Sequence, residues 1–397
     1  MAEAERERVL LCNTRFEPHV GGVETSLREL ARALEARGHA VCIVAGDAHP
    51  AGTPRPPRLD HAYGAEVHRY RAFPRALAPV GLLGAVLVLL RLRWRVRPTR
   101  VVARHHMLVL ALRLAGYRDV TYVVPTVARR VQHHTARVAP GSAEAGSVRG
   151  RIVAVAQRLA LRWSRRVVTF SDFMADLVAA EGVPRGRIVV QPPGVDRDRF
   201  APMDAVERRA AREALGLPRD ARLALSLGRF VPEKGVDLAI DAAAALAERW
   251  TLVVVGDGPE RATIERHLAG LPANVRVLVR PRTSEPERYL HAVDAFVLSS
   301  RYEPFGQVLL EAVASGVPVV AFARAAGVET ATEELFADVP ALVRYADRLD
   351  GPSLAAAIDA SHDASLHPAY DQQRASFLAR HDWGTLAELI AAPPLRR

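Results

Sequence analysis

Between Ser299 and Phe322 the chain reads SSRYEPFGQVLLEAVASGVPVVAF, a stretch that leaves few choices of fold. The apolar run Ala295, Phe296, Val297, Leu298 before it predicts a buried strand, which the polar turn RYEPFG ends. Val308 to Ala314 continues as a helix that stops at Gly316 and Pro318, and Val317 to Phe322 restarts a strand, giving one βαβ unit. The alternation recurs. Val9 to Cys12 predicts a strand, the turn Asn13 to Val23 contains Gly21 and Gly22, a helix follows with Leu27, Leu30, Ala31 and Leu34, and Ala40 to Ala45 is the next strand after Gly38. From near Arg222, LALSLGRFVPEKGVDLAIDAAAAL reads as strand, basic turn and helix, and TLVVVGDGPERATIERHL repeats the order. Such alternation predicts an α/β protein with a doubly wound sheet. A chain of 397 residues is too long for one ordinary core and suits two domains of about 150 to 200 residues.

In a doubly wound sheet, ligands sit at the carboxyl edge of the strands, where the turns lie. Glu303 is on the turn RYEPFG and Glu311 about two helical turns along, so a helix beginning near Phe305 points both carboxylates toward its amino end. The N–H groups of Gly306, Gln307 and Val308 then face an anion, while the carboxylates accept hydrogen bonds from hydroxyls. Phosphate beside sugar hydroxyls describes a nucleotide sugar. Arg229 and Lys234 lie on the basic turn, where a planar guanidinium and a mobile ammonium can share a diphosphate. Gly21 and Gly22 precede another helix, and a turn needing positive φ is the alternative reading of that pair.

The spacing of Glu303 and Glu311 around P-F-G, followed by LLEA and SGVPVVA, resembles the donor-site signature of the family 4 retaining glycosyltransferases, glycosyl transferases group 1. FEPHVGGVETSLRELARALEARGHAV resembles the opening of these enzymes, and Gly228, Arg229, Lys234 and Gly235 match their G-R-x-x-x-x-K-G phrase. GVDRDRF resembles their hinge, and HDWGTLAELI their last helix; the match is patchy between about residues 50 and 165. The resemblance implies the GT-B fold, two Rossmann-like doubly wound domains facing across a cleft, over residues 1–200 and 201–375, with 376–397 as a helix crossing back. It implies a hexosyltransferase-like enzyme moving sugar from a nucleoside diphosphate sugar to a lipid-linked sugar, saccharide or small metabolite. Arg229, Lys234, Glu303 and His106 are its implied catalytic groups. The implied donor contacts are Gly21, Gly22, Arg229, Lys234, Glu303, Pro304, Phe305, Gly306, Gln307, Val308 and Glu311. No metal and no cofactor beyond the donor is implied, and Asp196 and Asp198, a D-x-D within the hinge phrase, read as structural.

His105 and His106 follow the strand-like Arg100 to Ala103, and with Thr126 and His133 they are the acceptor-side candidates. Family members often carry a histidine after the next strand, where this chain has Pro125 and Thr126. The stretch from Arg129 to Arg149 has enough Gly, Pro and Ser for a mobile loop that closes over an acceptor. Two rivals stay open: an epimerase or hydrolase acting on the donor alone, and a non-catalytic protein that binds the nucleotide sugar without turnover.

Cys12 and Cys42 fall in apolar runs and read as reduced core residues, and MAEAERER lacks the form of a signal peptide, so a cytoplasmic protein is expected. The net charge of +10 calls for a negative partner. Nucleic acid is the weakest choice, since no zinc-finger spacing, aromatic RNA-binding strand or lysine-rich tail appears. From Ala76 to Leu90 the chain is apolar, too short to span a bilayer, and Arg91, Arg93, Arg95 and Arg97 follow. It reads either as a buried helix with a basic end or as a peripheral contact with anionic lipid.

Overall fold

The computed structural model describes residues 6–19, 21–49, 53–73, 78–138, 148–246, 249–364 and 367–393. The chain divides into two compact units: residues 1–130, 146–193 and 382–397, and residues 131–145 and 194–381. The limits expected were 200 and 375.

In chain order the first unit carries β1 (Arg8–Cys12), α1 (Gly22–Ala36), β2 (Ala40–Gly46), β3 (Leu59–Ala62), β4 (Ala65–Tyr70), α2 (Ala78–Arg95), β5 (Arg100–Ala103), α3 (His106–Leu114) and β6 (Val120–Val123). Next come α4 (Ala128–Val138), whose residues from 131 onward group with the second unit, then α5 (Val148–Trp163), β7 (Arg166–Thr169), α6 (Asp172–Ala180) and β8 (Ile188–Val190). Its sheet runs β3-β4-β2-β1-β5-β6-β7-β8, parallel except for the β3–β4 hairpin. That hairpin turns on Tyr63 and Gly64, both at positive φ, as a two-residue type I′ loop demands. Cys12 and Cys42 are buried in β1 and β2 without a disulfide.

The second unit carries α7 (Ala205–Ala214), β9 (Arg222–Leu227), α8 (Val236–Leu246), β10 (Trp250–Val255), α9 (Arg261–Ala269), β11 (Arg276–Arg280), α10 (Pro286–Leu290), β12 (Ala295–Leu298) and β13 (Tyr302–Glu303). It continues with α11 (Gln307–Ala314), β14 (Val319–Phe322), β15 (Glu329–Thr330), α12 (Thr332–Leu335), β16 (Val343–Ala346), α13 (Gly351–Ser361) and α14 (Tyr370–Arg380). Its main sheet, β11-β10-β9-β12-β14-β16, is wholly parallel, and β13 pairs with β15 apart from it. Strands such as β10 (WTLVVV) are buried along their whole length, because helices cover both faces of a parallel sheet. The last helix, α15 (Trp383–Ala391), belongs to the first unit: it packs on α1, burying Leu386, Ala387 and Ile390, and Arg100 Nε donates to Ala391 O at 2.7 Å.

Each sheet has one switch point. In the first unit β1 pairs with both β2 and β5, and in the second β9 pairs with both β10 and β12. Chain direction across the sheet reverses there, so the loops after β1 and β5, and after β9 and β12, diverge and leave a crevice at the carboxyl edge.

Two expectations change. Residues 129–138 are helical and α5 begins at Val148, so the loop expected over Arg129–Arg149 does not cover these residues, and the rest of that expectation, 139–147, lies outside the described residues. The apolar segment, of which Ala76 and Leu77 lie outside the described residues, is not a buried helix: α2 buries Ala85, Leu89 and Leu92 but exposes Leu83 and Leu87.

Arg212 holds α7 to the sheet. Its buried guanidinium donates to Ala292 O (2.8 Å), Arg219 O (2.8 Å), Ala221 O (3.0 Å) and Asp294 Oδ2 (2.8 Å), which also accepts from Leu223 N–H. Removing one partner leaves the others unpaired, so Arg212→Ala is expected to cost about 3–5 kcal/mol of stability, measured by denaturant unfolding. His381 is buried with Nδ1 2.7 Å from Phe377 O, and burial pushes its pKa down to about 4 against the opposing pull of that hydrogen bond. The unfolded imidazole binds its proton near pH ~6.5. Below that pH the unfolded chain holds a proton that the folded one lacks, so stability falls as pH drops from about 6.5 to about 4. His381→Leu is expected to flatten this slope in denaturation midpoints measured across that range.

Candidate functional site

In the second unit the crevice is built by two loops bolted together. The loop after β9 crosses that after β10 at close range: Phe230 N–H donates to Asp257 O (3.0 Å), and Glu260 N–H to Phe230 O (3.1 Å). A Cβ on Gly256 would lie 1.9 Å from Gly228 O, and one on Gly258 2.3 Å from Phe230 O, so only glycine lets these backbones pass. Pro232–Lys234 then forms a single 3₁₀ turn closed by Gly235 at φ +59.

That turn is fixed to the segment after β12. Ser299 Oγ donates to Lys234 O (3.0 Å) and Arg301 N–H to Glu233 O (2.8 Å). The Arg301 guanidinium grips Asp237 with two hydrogen bonds, 2.8 and 2.6 Å, and reaches Pro232 O at 3.2 Å. Burial raises the Asp237 pKa, but the Arg301 hydrogen bond and charge outweigh it and hold the carboxyl below its ordinary range. Two residues beyond Arg301, Glu303 is buried in β13, and Lys234 Nζ donates directly to its carboxylate. Arg229 is exposed on the same loop as Lys234.

Past Glu303, Phe305 is buried and Gly306 turns the chain at φ +83, so α11 begins at Gln307, later than the start near Phe305 that the sequence suggests. Its first-turn N–H groups are those of Gln307 and Val308, since Leu309 N–H already bonds Gly306 O at 2.9 Å. Gln307 Nε2 donates to Gly194 O (2.9 Å), which anchors the start of the helix, and Glu311 is buried in the next turn. The arrangement offers anion-binding groups and buried carboxylate oxygens within one crevice. Asp196 accepts from Arg199 N–H at 3.0 Å and closes a turn; among the described residues no group of three His, Cys, Asp or Glu is placed to hold a metal.

In the first unit, Gly21 is extended at φ −177, so positive φ is not the reason for it. Among the described residues, a Cβ on Gly22 would meet nothing within 4 Å, leaving open space over the first turn of α1. At the end of β5, His105 caps α3 by accepting Met107 N–H at 3.2 Å, and its ring stacks on His106 with centroids 4.2 Å apart. Burial drives both pKa values down, to about 3 for His105, helped by the charges of His106 and Arg15, and to about 4 for His106. His106 is therefore a neutral imidazole at neutral pH. Thr126 O accepts from buried Gln157 Nε2 (2.7 Å), whose Oε1 accepts Ala128 N–H (2.7 Å), so α5 holds the turn after β6.

His133 is exposed on α4, whereas His134 is buried, its ring 5.1 Å from that of Tyr302 and its Nε2 3.1 Å from Glu329 Oε2. Adjacent helical residues face about 100° apart, so only one of the pair can reach β13 and β15, and it is His134. Arg104 was also not anticipated. It is buried just after β5 with its guanidinium 5.0 Å over the Phe170 ring, and among the described residues Nε and Nη1 lack hydrogen-bond partners. Burial lowers its pKa to about 10 against the pull of Glu24, so it stays charged. The Arg301–Asp237 pair spans 64 positions with no local signal, but the arginine's place inside RYEPFG was a clue.

Residues 207–336 match the model for glycosyl transferases group 1, and residues 21–194 match that for the glycosyl transferase 4-like domain. The chain is 34% identical to D-inositol 3-phosphate glycosyltransferase of Xylanimonas cellulosilytica, over 76% of this chain and 75% of that one. It is 32% identical to GDP-mannose-dependent alpha-mannosyltransferase of Mycobacterium tuberculosis, over 79% and 78%. Sucrose-phosphate synthase from Thermosynechococcus elongatus has the same fold, with a TM-score of 0.76, 21% identity and 97% of each chain covered. Both halves of the chain, and the crevice that each sheet opens at its switch point, thus belong to one lineage of sugar-transferring enzymes: the protein is a member of glycosyltransferase family 4, with the GT-B fold.

Proposed function

We propose that the enzyme transfers a hexose from a nucleoside diphosphate sugar with retention of anomeric configuration and without a metal ion. The observation that carries this reading is the Lys234–Glu303 contact at the β9/β12 switch point, beside the amino end of α11. The ammonium is paired with the carboxylate. A bound diphosphate draws the ammonium toward itself, and Glu303 is then free to accept a hydroxyl of the transferred sugar. Arg229 and Lys234 balance the charge that builds on the leaving diphosphate, assisted by the Gln307 and Val308 N–H groups. Glu311 accepts from the ribose hydroxyls. The acceptor oxygen attacks from the face the diphosphate leaves, so configuration is kept.

On the first unit, neutral His106 has a lone pair and an N–H for hydroxyl groups, and the space over Gly22 admits the donor phosphates or the acceptor. Arg104 supplies a buried positive charge at the same sheet edge, which favours an acceptor carrying negative charge. A phosphorylated cyclitol fits, in keeping with the relative named for inositol 3-phosphate. Thr126 and His133 remain acceptor-side candidates.

Titration calorimetry with UDP, GDP, ADP and TDP is expected to show selective binding of one nucleotide, abolished in Arg229→Ala and in Glu311→Ala. No binding of any of the four would remove the donor site from the proposal. Lys234→Ala is expected to lower turnover by about 10²–10³-fold with an unchanged circular dichroism spectrum. Wild-type turnover in that variant would show that Lys234 does not stabilise the leaving diphosphate in the transition state.

A further inference from the structure

The crossovers β4 to β5, β5 to β6 and β6 to β7 all run the same way across the first unit's sheet, so right-handed connection puts α2, α3 and α5 on one face. The β1 to β2 crossover runs the other way, and α1 lies on the opposite face with α15. α3 packs against both α2 and α5, which makes the three one continuous layer.

The outer side of this layer is apolar. On α2, Leu83 is 59% exposed, Leu87 60% and Trp94 75%, and on α5, Ile152, Val155 and Trp163 are exposed as well. These positions recur every three to four residues on each helix, so each forms a stripe along one side. Of the fourteen large hydrophobic residues exposed among the described residues, eleven lie on α2, α3 and α5, a concentration that marks a contact surface rather than scatter. The three helices carry eight arginines and no aspartate or glutamate, most of the chain's net charge of +10.

We propose that this face docks on a membrane surface containing anionic phospholipid, lying in the interface without crossing it. Among the described residues no helix is long and apolar enough to cross. A second copy of the chain would oppose eight arginines with eight more, whereas an anionic bilayer offers apolar depth and negative headgroups together. Trp94 and Trp163 near the carboxyl ends of α2 and α5 suit the headgroup boundary. The proposal does not depend on the identity of donor or acceptor.

The test is vesicle flotation with the full-length chain, using phosphatidylcholine alone and phosphatidylcholine mixed with phosphatidylglycerol. Binding is expected only to the mixed vesicles and is expected to weaken with salt. Tryptophan emission is expected to shift to the blue on binding. Trp250 and Trp383 are buried, so the shift comes from the other two tryptophans and is expected to vanish in the Trp94→Phe/Trp163→Phe double variant. Replacing the exposed Arg91, Arg151 and Arg162 together by Gln is expected to weaken binding about a hundredfold. Leu87→Asp/Ile152→Asp is expected to abolish it, with nucleotide titration and circular dichroism showing that the fold and the second unit are intact. Absence of binding to mixed vesicles with unshifted emission overturns the proposal. Self-association that is lost in the same double variant, without vesicle binding, also overturns it and assigns the face to a second copy.

Discussion

Parallel strands can be joined only by crossovers, and in each sheet of this enzyme the crossovers change direction once. Everything chemical follows from where that change falls. After β9 the chain turns toward β10's side and after β12 toward β14's, so the loops that carry Lys234 and Glu303 part at the sheet edge and then meet again above it. The first unit repeats the device with β1 and β5, which bring the turn before α1 and the histidines at the start of α3 to one edge. In the second unit, strand pairing brings two stretches far apart in sequence to one edge, where side chains then join them.

The second unit's crevice is then made rigid by groups that take no part in chemistry. Arg301, Asp237 and Ser299 tie the Lys234 turn to the strand that leads to Glu303, and Gly256 and Gly258 let a neighbouring loop pass within backbone contact. Such fixing holds the turn that carries Lys234 against the segment that leads to Glu303. A buried carboxylate without a partner is costly, and Lys234 supplies Glu303 with one.

Much of this was legible in the amino-acid sequence. Strands β1, β2, β9, β10, β12 and β14 declare themselves as short apolar runs ended by glycine or polar turns, and the phrase from Glu303 to Glu311 carries enough fixed neighbours to be specific. Less legible was anything set by contacts distant in sequence. The Arg301–Asp237 clamp and the β13–β15 pairing have no local pattern. Helix α2 left two readings open, a buried helix or a contact with lipid, because sequence shows how much of a helix is apolar but not how much of it the fold covers. The start of α11 was placed too early because Gly306, at positive φ, spends two residues on a turn that periodicity does not reveal.

The last helix has a bearing on how the protein is made. α15 covers α1 and holds β5 through Arg100, yet it is encoded after the whole of the second unit. On the ribosome the first unit therefore begins before the second and is completed after it, with the side chains destined to meet Leu386, Ala387 and Ile390 uncovered until the whole second unit has been made. A chain truncated just before α15 would lose no strand of either sheet, but it would leave that apolar ground open to chaperones, proteases and other nascent chains.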